Sequence, residues 1–70
     1  MHREPVQSSN LKSVGYDSQQ KIVEIEFHSG GIYQYINVSS EVHISFMDAA
    51  SKGQFFAQYI KNRFPTKKVG

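Results

Sequence analysis

Two tyrosines separated by a single residue, Tyr33 and Tyr35, have the clearest capacity for ligand recognition in this 70-residue chain. They lie in a β-prone run, and aromatic rings on a strand can stack on unpaired bases of a nucleic acid. The same rings can instead pack in a core with their hydroxyls at its rim. Their role depends on the register of the strand that carries them, because a one-residue slip exchanges the two faces of a strand.

Basic side chains at the C-terminal end offer a second kind of chemistry, the binding of phosphate. Residues 61–70 contain four bases and no acid, whereas residues 1–60 contain four bases and all six acids. A solvated helix end followed by a frayed tail explains these charges equally well. The nucleic-acid-binding set that we predict combines them with earlier lysines and tyrosines: Lys12, Tyr16, Tyr33, Tyr35, Lys52, Lys61, Arg63, Lys67 and Lys68.

Residues that could support catalysis are present, but their spacing matches no catalytic or metal-binding motif. His2, His28 and His43 fall in a leader, a turn and a helix, without H-x-x-x-H spacing or a nearby nucleophile motif. Glu24 and Glu26 share a strand face, which is also the ordinary outward pattern of a solvated antiparallel sheet. The chain has no cysteine, which excludes disulfides, thiol catalysis and Cys-ligated zinc. We therefore expect a non-enzymatic protein with no cofactor and no metal.

Three strands are predicted to form an antiparallel meander. The first is Asn10 to Asp17, in which Gly15 is a candidate for a bulge or for the close approach of another segment. The second and third are about Lys21 to His28 and Ile32 to Asn37. Between them, Ser29-Gly30-Gly31 supplies residues that tolerate positive φ where the chain must reverse.

The length of this hairpin loop decides where the two tyrosines point. A three-residue loop puts them on the side of Val23, Ile25 and Phe27, against the helices, and makes them core residues. A loop of two or four residues instead puts them with Glu24 and Glu26 on the open face, where the rings could stack on bases. We favour packing, because the two acids would repel phosphate on that face.

Two helices are predicted after the strands. The first is capped by Ser39 or Ser40 and runs to about Ala50. The second begins at Ser51, because Ser51 followed by Gln54 matches the capping box, and Pro65 ends it. Its apolar stripe comprises Phe55, Phe56, Tyr59, Ile60 and Phe64. The predicted fold class is α+β, a three-stranded antiparallel β-meander followed by two α-helices packed on one face.

The domain organisation follows from where the apolar pattern begins and ends. Residues 1–8 are predicted to be a flexible leader, 9–65 a single domain and 66–70 a basic tail. A hydrophobic fraction of 39% with nine aromatic residues is enough for one modest core. The apolar runs are too short for a membrane span and no secretion signal is recognisable, so we expect a cytoplasmic protein without membrane contact. The residues expected to dominate stability are Val23, Ile25, Phe27, Phe46, Phe56 and Ile60.

Three motifs occur in order along residues 9–64: Ser-Val-Gly-Tyr-Asp at 13–17, Tyr-Gln-Tyr at 33–35 and Ala-Ser-Lys-Gly at 50–53. In this combination they resemble the KTSC domain family, small bacterial proteins whose domain also occurs at the C-terminus of some lysyl-tRNA synthetases. The fusion to a tRNA-charging enzyme implies a binding module for RNA. The resemblance implies no catalytic residue. His43 departs from the pattern, since the family often has an aromatic residue there.

The alternative function is a protein-interaction or assembly module, in which the tyrosines and basic residues are structural. Ile44 and either Ile32 or Ile36 are expected to lie outside so small a core. Exposed apolar residues that cluster together mark contact surfaces. The partner predicted from the sequence is therefore RNA or another protein, and the sequence does not determine the oligomeric state.

Overall fold

A five-stranded antiparallel sheet is the frame of the protein in a computed structural model that describes all 70 residues. The strands follow one another across the sheet in chain order: β1 (Glu4–Pro5), β2 (Leu11–Asp17), β3 (Ile22–Phe27), β4 (Ile32–Ile36) and β5 (Thr66–Lys68). The three central strands confirm the predicted meander. The two edge strands were not predicted.

These edge strands correct the expected count of three. The segment expected to be a flexible leader contains β1, which pairs with β2 and sets Glu4 opposite Val14. The segment expected to be a basic tail contains β5, which pairs with β4 and sets Lys68 opposite Tyr33. Neither segment has an alternating apolar pattern, because a two- or three-residue edge strand is held by backbone hydrogen bonds and buries little side-chain surface.

The loop between β3 and β4 contains three residues. The amide of Phe27 donates a hydrogen bond to the carbonyl of Gly31 at 2.9 Å, which leaves residues 28–30 as the loop. Gly30 has a φ of 110°, a conformation that a side chain would oppose. The glycine-rich break therefore closes the hairpin as expected.

This loop length puts both tyrosines on the helix side of the sheet. Tyr33 lies opposite Ile25 and Tyr35 lies opposite Val23. Directly opposite residues of an antiparallel pair share a face, so the rings join the apolar side. Tyr35 is only 5% exposed. The packing interpretation is thus confirmed, and the open-face alternative is wrong.

Two helices cover this same face. Helix α1 (Ser40–Asp48) begins after Ser39, whose Oγ accepts a hydrogen bond from a first-turn amide at 3.3 Å. Helix α2 (Lys52–Phe55) begins after Ser51, whose Oγ accepts one from the amide of Gln54 at 3.2 Å. Both predicted helix starts are confirmed. No helix is both long and apolar enough to cross a membrane.

Helix α2 continues into a π-helical segment, Phe56–Ile60, instead of running on to Pro65. The amide of Lys61 donates to the carbonyl of Phe56 at 2.8 Å, which is the wide spacing of a π-turn. Asn62 then adopts a φ of 62° and redirects the chain toward β5. The second helix therefore ends earlier than predicted.

The core lies between the sheet and the helices. Its buried apolar residues are Leu11, Val14, Val23, Ile25, Tyr35, Val38, Phe46, Phe56 and Ile60. Of the residues expected to dominate stability, Phe27 alone stays partly exposed while packing against this cluster. In the predicted helical stripe, Phe55 and Phe64 are half-buried and Tyr59 is 54% exposed.

The N-terminal segment lies directly against Gly15 in β2. A Cβ atom at Gly15 would overlap the carbonyl oxygen of His2 and would lie 3.0 Å from Cγ of Arg3. Gly15 is therefore the predicted point of close approach. The bulge of β2 lies elsewhere, at Lys12.

Replacing Gly15 with alanine should lower the free energy of unfolding by about 1–3 kcal/mol, the usual cost of forcing packed atoms apart. Urea denaturation followed by circular dichroism measures this change. In a chain lacking residues 1–5 the same substitution should be neutral or stabilising, because alanine is otherwise preferred to glycine inside a strand. An equal loss in both chains would contradict the proposed overlap.

Candidate nucleic-acid interface

Four cations gather at the β5 edge of the sheet. Lys67 and Lys68 lie on β5 itself, and Lys61 and Arg63 lie in the turn that leads to it. All four are exposed, and none is within ion-pair distance of a carboxylate. We call Lys61, Arg63, Lys67 and Lys68 the basic edge.

An aromatic-lined groove of about 400 Å³ opens beside the basic edge, between the β3–β4 loop and the end of the π-helical segment. We call it the hairpin groove; it is lined by Phe27, Ser29, Tyr33, Tyr35, Phe56, Lys61, Asn62 and Thr66. A second hollow of about 350 Å³ adjoins it at Phe27 and Lys61 and is lined further by Ser9, Asn10 and His28. Lys61 thus joins the basic edge to the groove.

The two tyrosines contribute differently to this groove. Tyr35 is buried and packs edge-to-face on Phe56, with ring centroids 5.5 Å apart. Burial, and to a lesser extent the neighbouring Tyr33, raises the pKa of the Tyr35 hydroxyl to about 12. Tyr33 is half-buried and meets Phe27 edge-on at 5.7 Å. Tyr35 therefore forms the floor of the groove, while Tyr33 keeps accessible surface.

Tyr16, which was predicted to belong with these residues, lies apart from them on β2. Its hydroxyl donates a hydrogen bond to the carbonyl of Val38 at 2.7 Å. Its ring stacks on His43 of α1, with centroids 4.4 Å apart and planes 9° apart. Burial lowers the pKa of His43. His43 thus packs as a flat ring against Tyr16.

Lys12 and Lys52, the other predicted cations, also lie away from the basic edge. Lys12 is the bulge residue of β2, and its Nζ is 3.9 Å from a carboxylate oxygen of Glu26. The Nζ of Lys52 donates to the carbonyl of Ala49 at 3.3 Å, near the start of α2. The structure therefore gathers Tyr33, Tyr35, Lys61, Arg63, Lys67 and Lys68 and leaves three predicted residues outside.

The open face of the sheet carries a network centred on Glu24. Arg3 forms an ion pair with Glu24, and its Nη2 is 3.6 Å from Glu26. Gln34 donates to Glu24 at 2.8 Å. Burial alone would raise the pKa of Glu24, but the hydrogen bonds from Gln34 and Arg3, with the charge of Arg3, outweigh it and hold the pKa below its ordinary value. The two acids are thus neutralised on the face opposite the groove.

The histidines and acids form no cluster of three or more that could hold a metal ion. His28 lies in the hairpin loop as predicted, with its Nε2 3.1 Å from the carbonyl of Ser8. His2 and His43 line a hollow of about 500 Å³ beside Glu4.

Sequence reasoning missed two groups of residues at these sites. Asn62 and Thr66 line the groove, but the expected continuous helix and unstructured tail gave no reason to bring them together. Arg3 partners Glu24 across 21 positions of the chain, and no local pattern signals such a pairing. The family motifs gave no signal for Arg3 either, because it precedes them.

The comparisons with known proteins agree with this architecture. A family profile described as the KTSC domain matches residues 7–64. The chain belongs to the KTSC domain family. The crystal structure of a KTSC domain protein from Yersinia pestis superposes with a TM-score of 0.96 and 45% sequence identity, over 99% of this chain and 97% of that one. The family resemblance seen in the sequence is therefore confirmed.

Relatives place this KTSC domain both alone and within a larger enzyme. A protein of Stutzerimonas stutzeri, described as uncharacterized, is 46% identical over 61 residues, which are 87% of this chain and 86% of that protein. A lysine–tRNA ligase of Nostoc punctiforme is 36% identical over 63 residues, which are 90% of this chain but 11% of the ligase. The domain is thus a small part of that ligase.

The Glu24 network should make the stability of this KTSC domain depend on acid pH. Because the folded-state pKa of Glu24 is lowered, its ionised form stabilises the fold above the ordinary glutamate pKa, and this contribution disappears as the pH falls through the folded-state value. Glu24→Gln should therefore be less stable than the original chain near neutral pH, and the difference should shrink in acid. Urea denaturation across that range measures it.

The matched control removes the partner of Glu24. In an Arg3→Ala background the Glu24→Gln substitution should cause a smaller pH-dependent change in stability, because a hydrogen bond and a favourable charge are already absent. If the stability profiles of the original chain and the Glu24→Gln variant run parallel at every pH, Glu24 has no such role.

Proposed function

We propose that this KTSC domain is a small non-enzymatic binding module for RNA that contacts phosphates with its basic edge. The observation that supports this most is that four exposed cations without ion-pair partners lie on β5 or in the turn before it, with Lys67 and Lys68 on opposite faces of that edge. Surface cations without an ion-pair partner break no ion pair when they bind phosphate, and they release the counterions of the nucleic acid, which favours binding. Cations already paired with carboxylates would gain less binding free energy from phosphate, because the existing ion pair would first have to be broken.

The distribution of acids supports this proposal. Glu24 and Glu26 lie on the open face, which Lys67 shares because it pairs with Gln34, but both acids are already paired with Arg3, which weakens their repulsion of phosphate. The other acids belong to elements away from β5: Glu4 on β1, Asp17 at the end of β2, Glu41 and Asp48 on α1. Four of the cations without ion-pair partners therefore lie at one edge, away from most of the acids, although the formal net charge is only +2.

The choice of RNA among nucleic acids is supported by the lysine–tRNA ligase relative, since the name of that enzyme specifies tRNA as a substrate. This support comes from the occurrence of a related domain in that enzyme, whereas the charge arrangement is a property of this domain itself.

A second candidate, an assembly module, is favoured by the exposed apolar residue on α1. Ile44 is 58% exposed, as expected from the sequence, and Ile32 and Ile36 are half-buried on the open face of the sheet. Light scattering at high protein concentration discriminates the two candidates. A concentration-independent monomer would argue against assembly through these residues.

Replacing all four residues of the basic edge with glutamine should weaken binding to a single-stranded RNA by at least about tenfold at low salt. The slope of log affinity against log salt should become shallower by about 3, because each lost phosphate contact on a single strand removes about 0.7. Fluorescence anisotropy across a salt series gives both quantities.

The matched control neutralises two of the four cations that lie elsewhere. Lys12→Gln with Lys52→Gln should leave the affinity and its salt slope almost unchanged, because these lysines already have partners on the domain. Equal losses in both variants would mean that binding follows overall charge and not the basic edge. An original chain that binds no RNA at high micromolar concentration and low salt would end the proposal.

A further inference from the structure

We propose, building on the RNA-binding function above, that the hairpin groove takes one unpaired base, which stacks on Tyr33 while its flanking phosphates lie against Lys61 and Lys68. The domain then selects single-stranded RNA over duplex. The proposal rests on the composition of the groove, the fixed orientation of one ring and the cations at its rim.

The groove has the chemistry that a nucleobase needs. Its walls are aromatic, with Phe27 and Phe56 beside Tyr33, and its rim is polar, with Asn62 and Thr66 available for hydrogen bonds. Its volume of about 400 Å³ lies near the lower end of the range for small-ligand sites. A base is flat, aromatic and polar at its edges, so it matches both the walls and the rim.

Tyr33 is held in place before any ligand arrives. A Cβ atom at Gly31 would lie only 2.7 Å from Cε1 of Tyr33, so the ring occupies space that the missing side chain leaves free. On another side the ring meets Phe27 edge-on at an interplanar angle of 76°. A ring fixed in this way loses little conformational entropy on binding, which favours affinity.

The cations are positioned to accompany a base in the groove. Lys68 lies directly opposite Tyr33 in the sheet and therefore shares its face. Lys61 lines the groove itself. Neither lysine has an acidic partner. The phosphates on either side of a docked base thus meet positive charge, and the charges of ligand and site are complementary.

Duplex RNA cannot use this site in the same way. Its bases are stacked on one another and paired, so reaching a groove requires that a base first be extruded at the cost of stacking and pairing. A single strand presents its bases without that cost. The basic edge remains available to the phosphates of either form.

The first experiment varies the RNA and leaves the protein unchanged. Three probes of equal length are compared by fluorescence anisotropy at one low salt concentration: a single strand, the same strand in a blunt duplex, and an abasic strand with the same phosphates. The single strand should bind about tenfold or more tightly than the other two, which is the range expected for stacking of one base on an aromatic ring.

The second experiment varies Tyr33. Tyr33→Phe retains the ring and should bind the single strand unchanged, whereas Tyr33→Leu retains apolar packing without a ring and should lose about tenfold. Gly31→Ala keeps every charge but displaces the ring, and should lose part of the affinity. None of the three should alter binding to the abasic strand. Circular dichroism checks that each variant is folded.

The outcomes separate this inference from the function on which it rests. Equal binding of the single strand and the abasic strand, or full affinity in folded Tyr33→Leu, would overturn base docking and leave RNA binding through phosphates intact. Binding of none of the three probes would refute the RNA-binding function itself. Losses of equal size for the single strand and the abasic strand in Tyr33→Leu would also overturn the inference.

Discussion

The register of the β3–β4 hairpin is the constraint on which the rest of this structure depends. Its three-residue loop sets Tyr33 opposite Ile25 and Tyr35 opposite Val23, and thereby assigns every other residue of both strands to one face. A loop longer or shorter by one residue would turn the two tyrosines to the face of Glu24 and bring Ile32 and Ile36 to the helix side. The core, the groove and the ion network all follow from this register.

The same register explains why the open face needs the N-terminal segment. It leaves Glu24 surrounded by neighbouring side chains and mostly buried, where an unpaired carboxylate would be costly. Arg3 supplies the missing positive charge, and the absence of a side chain at Gly15 leaves room for the His2 carbonyl and the Arg3 side chain. The leader and the acids of β3 are therefore one structural unit, although they lie far apart in the chain.

Local signals predicted the central elements well because each of those elements is fixed by adjacent residues. Ser39 and Ser51 cap helices through hydrogen bonds that close within three residues, and the alternation around Ile25 follows from the pleat of one strand. The fold class and the helix side of the sheet were therefore accessible from the sequence. So was Gly15 as a point of close approach.

What the sequence could not predict depends on pairing between distant segments. The bulge at Lys12 lets Leu11 and Val14 face the core together, which strict alternation forbids. The strands β1 and β5 exist only because β2 and β4 offer free backbone groups at their edges. The π-helical segment turns the chain early toward β5, and so forms the groove beside the basic edge.

The two parts of the proposed site, the groove and the basic edge, differ in their relation to the family. The aromatic walls Phe27, Tyr33 and Phe56 lie within residues 7–64, which the family profile matches, whereas Lys67 and Lys68 lie beyond it. The walls follow from the hairpin register and the helices, and thus from the fold itself. The charges of β5 need only a short edge strand, whose side chains the core does not constrain. Lys61 lines the groove and lies within the matched residues, so only the charges of Lys67 and Lys68 are physically separable from the groove and can change while its aromatic walls are retained.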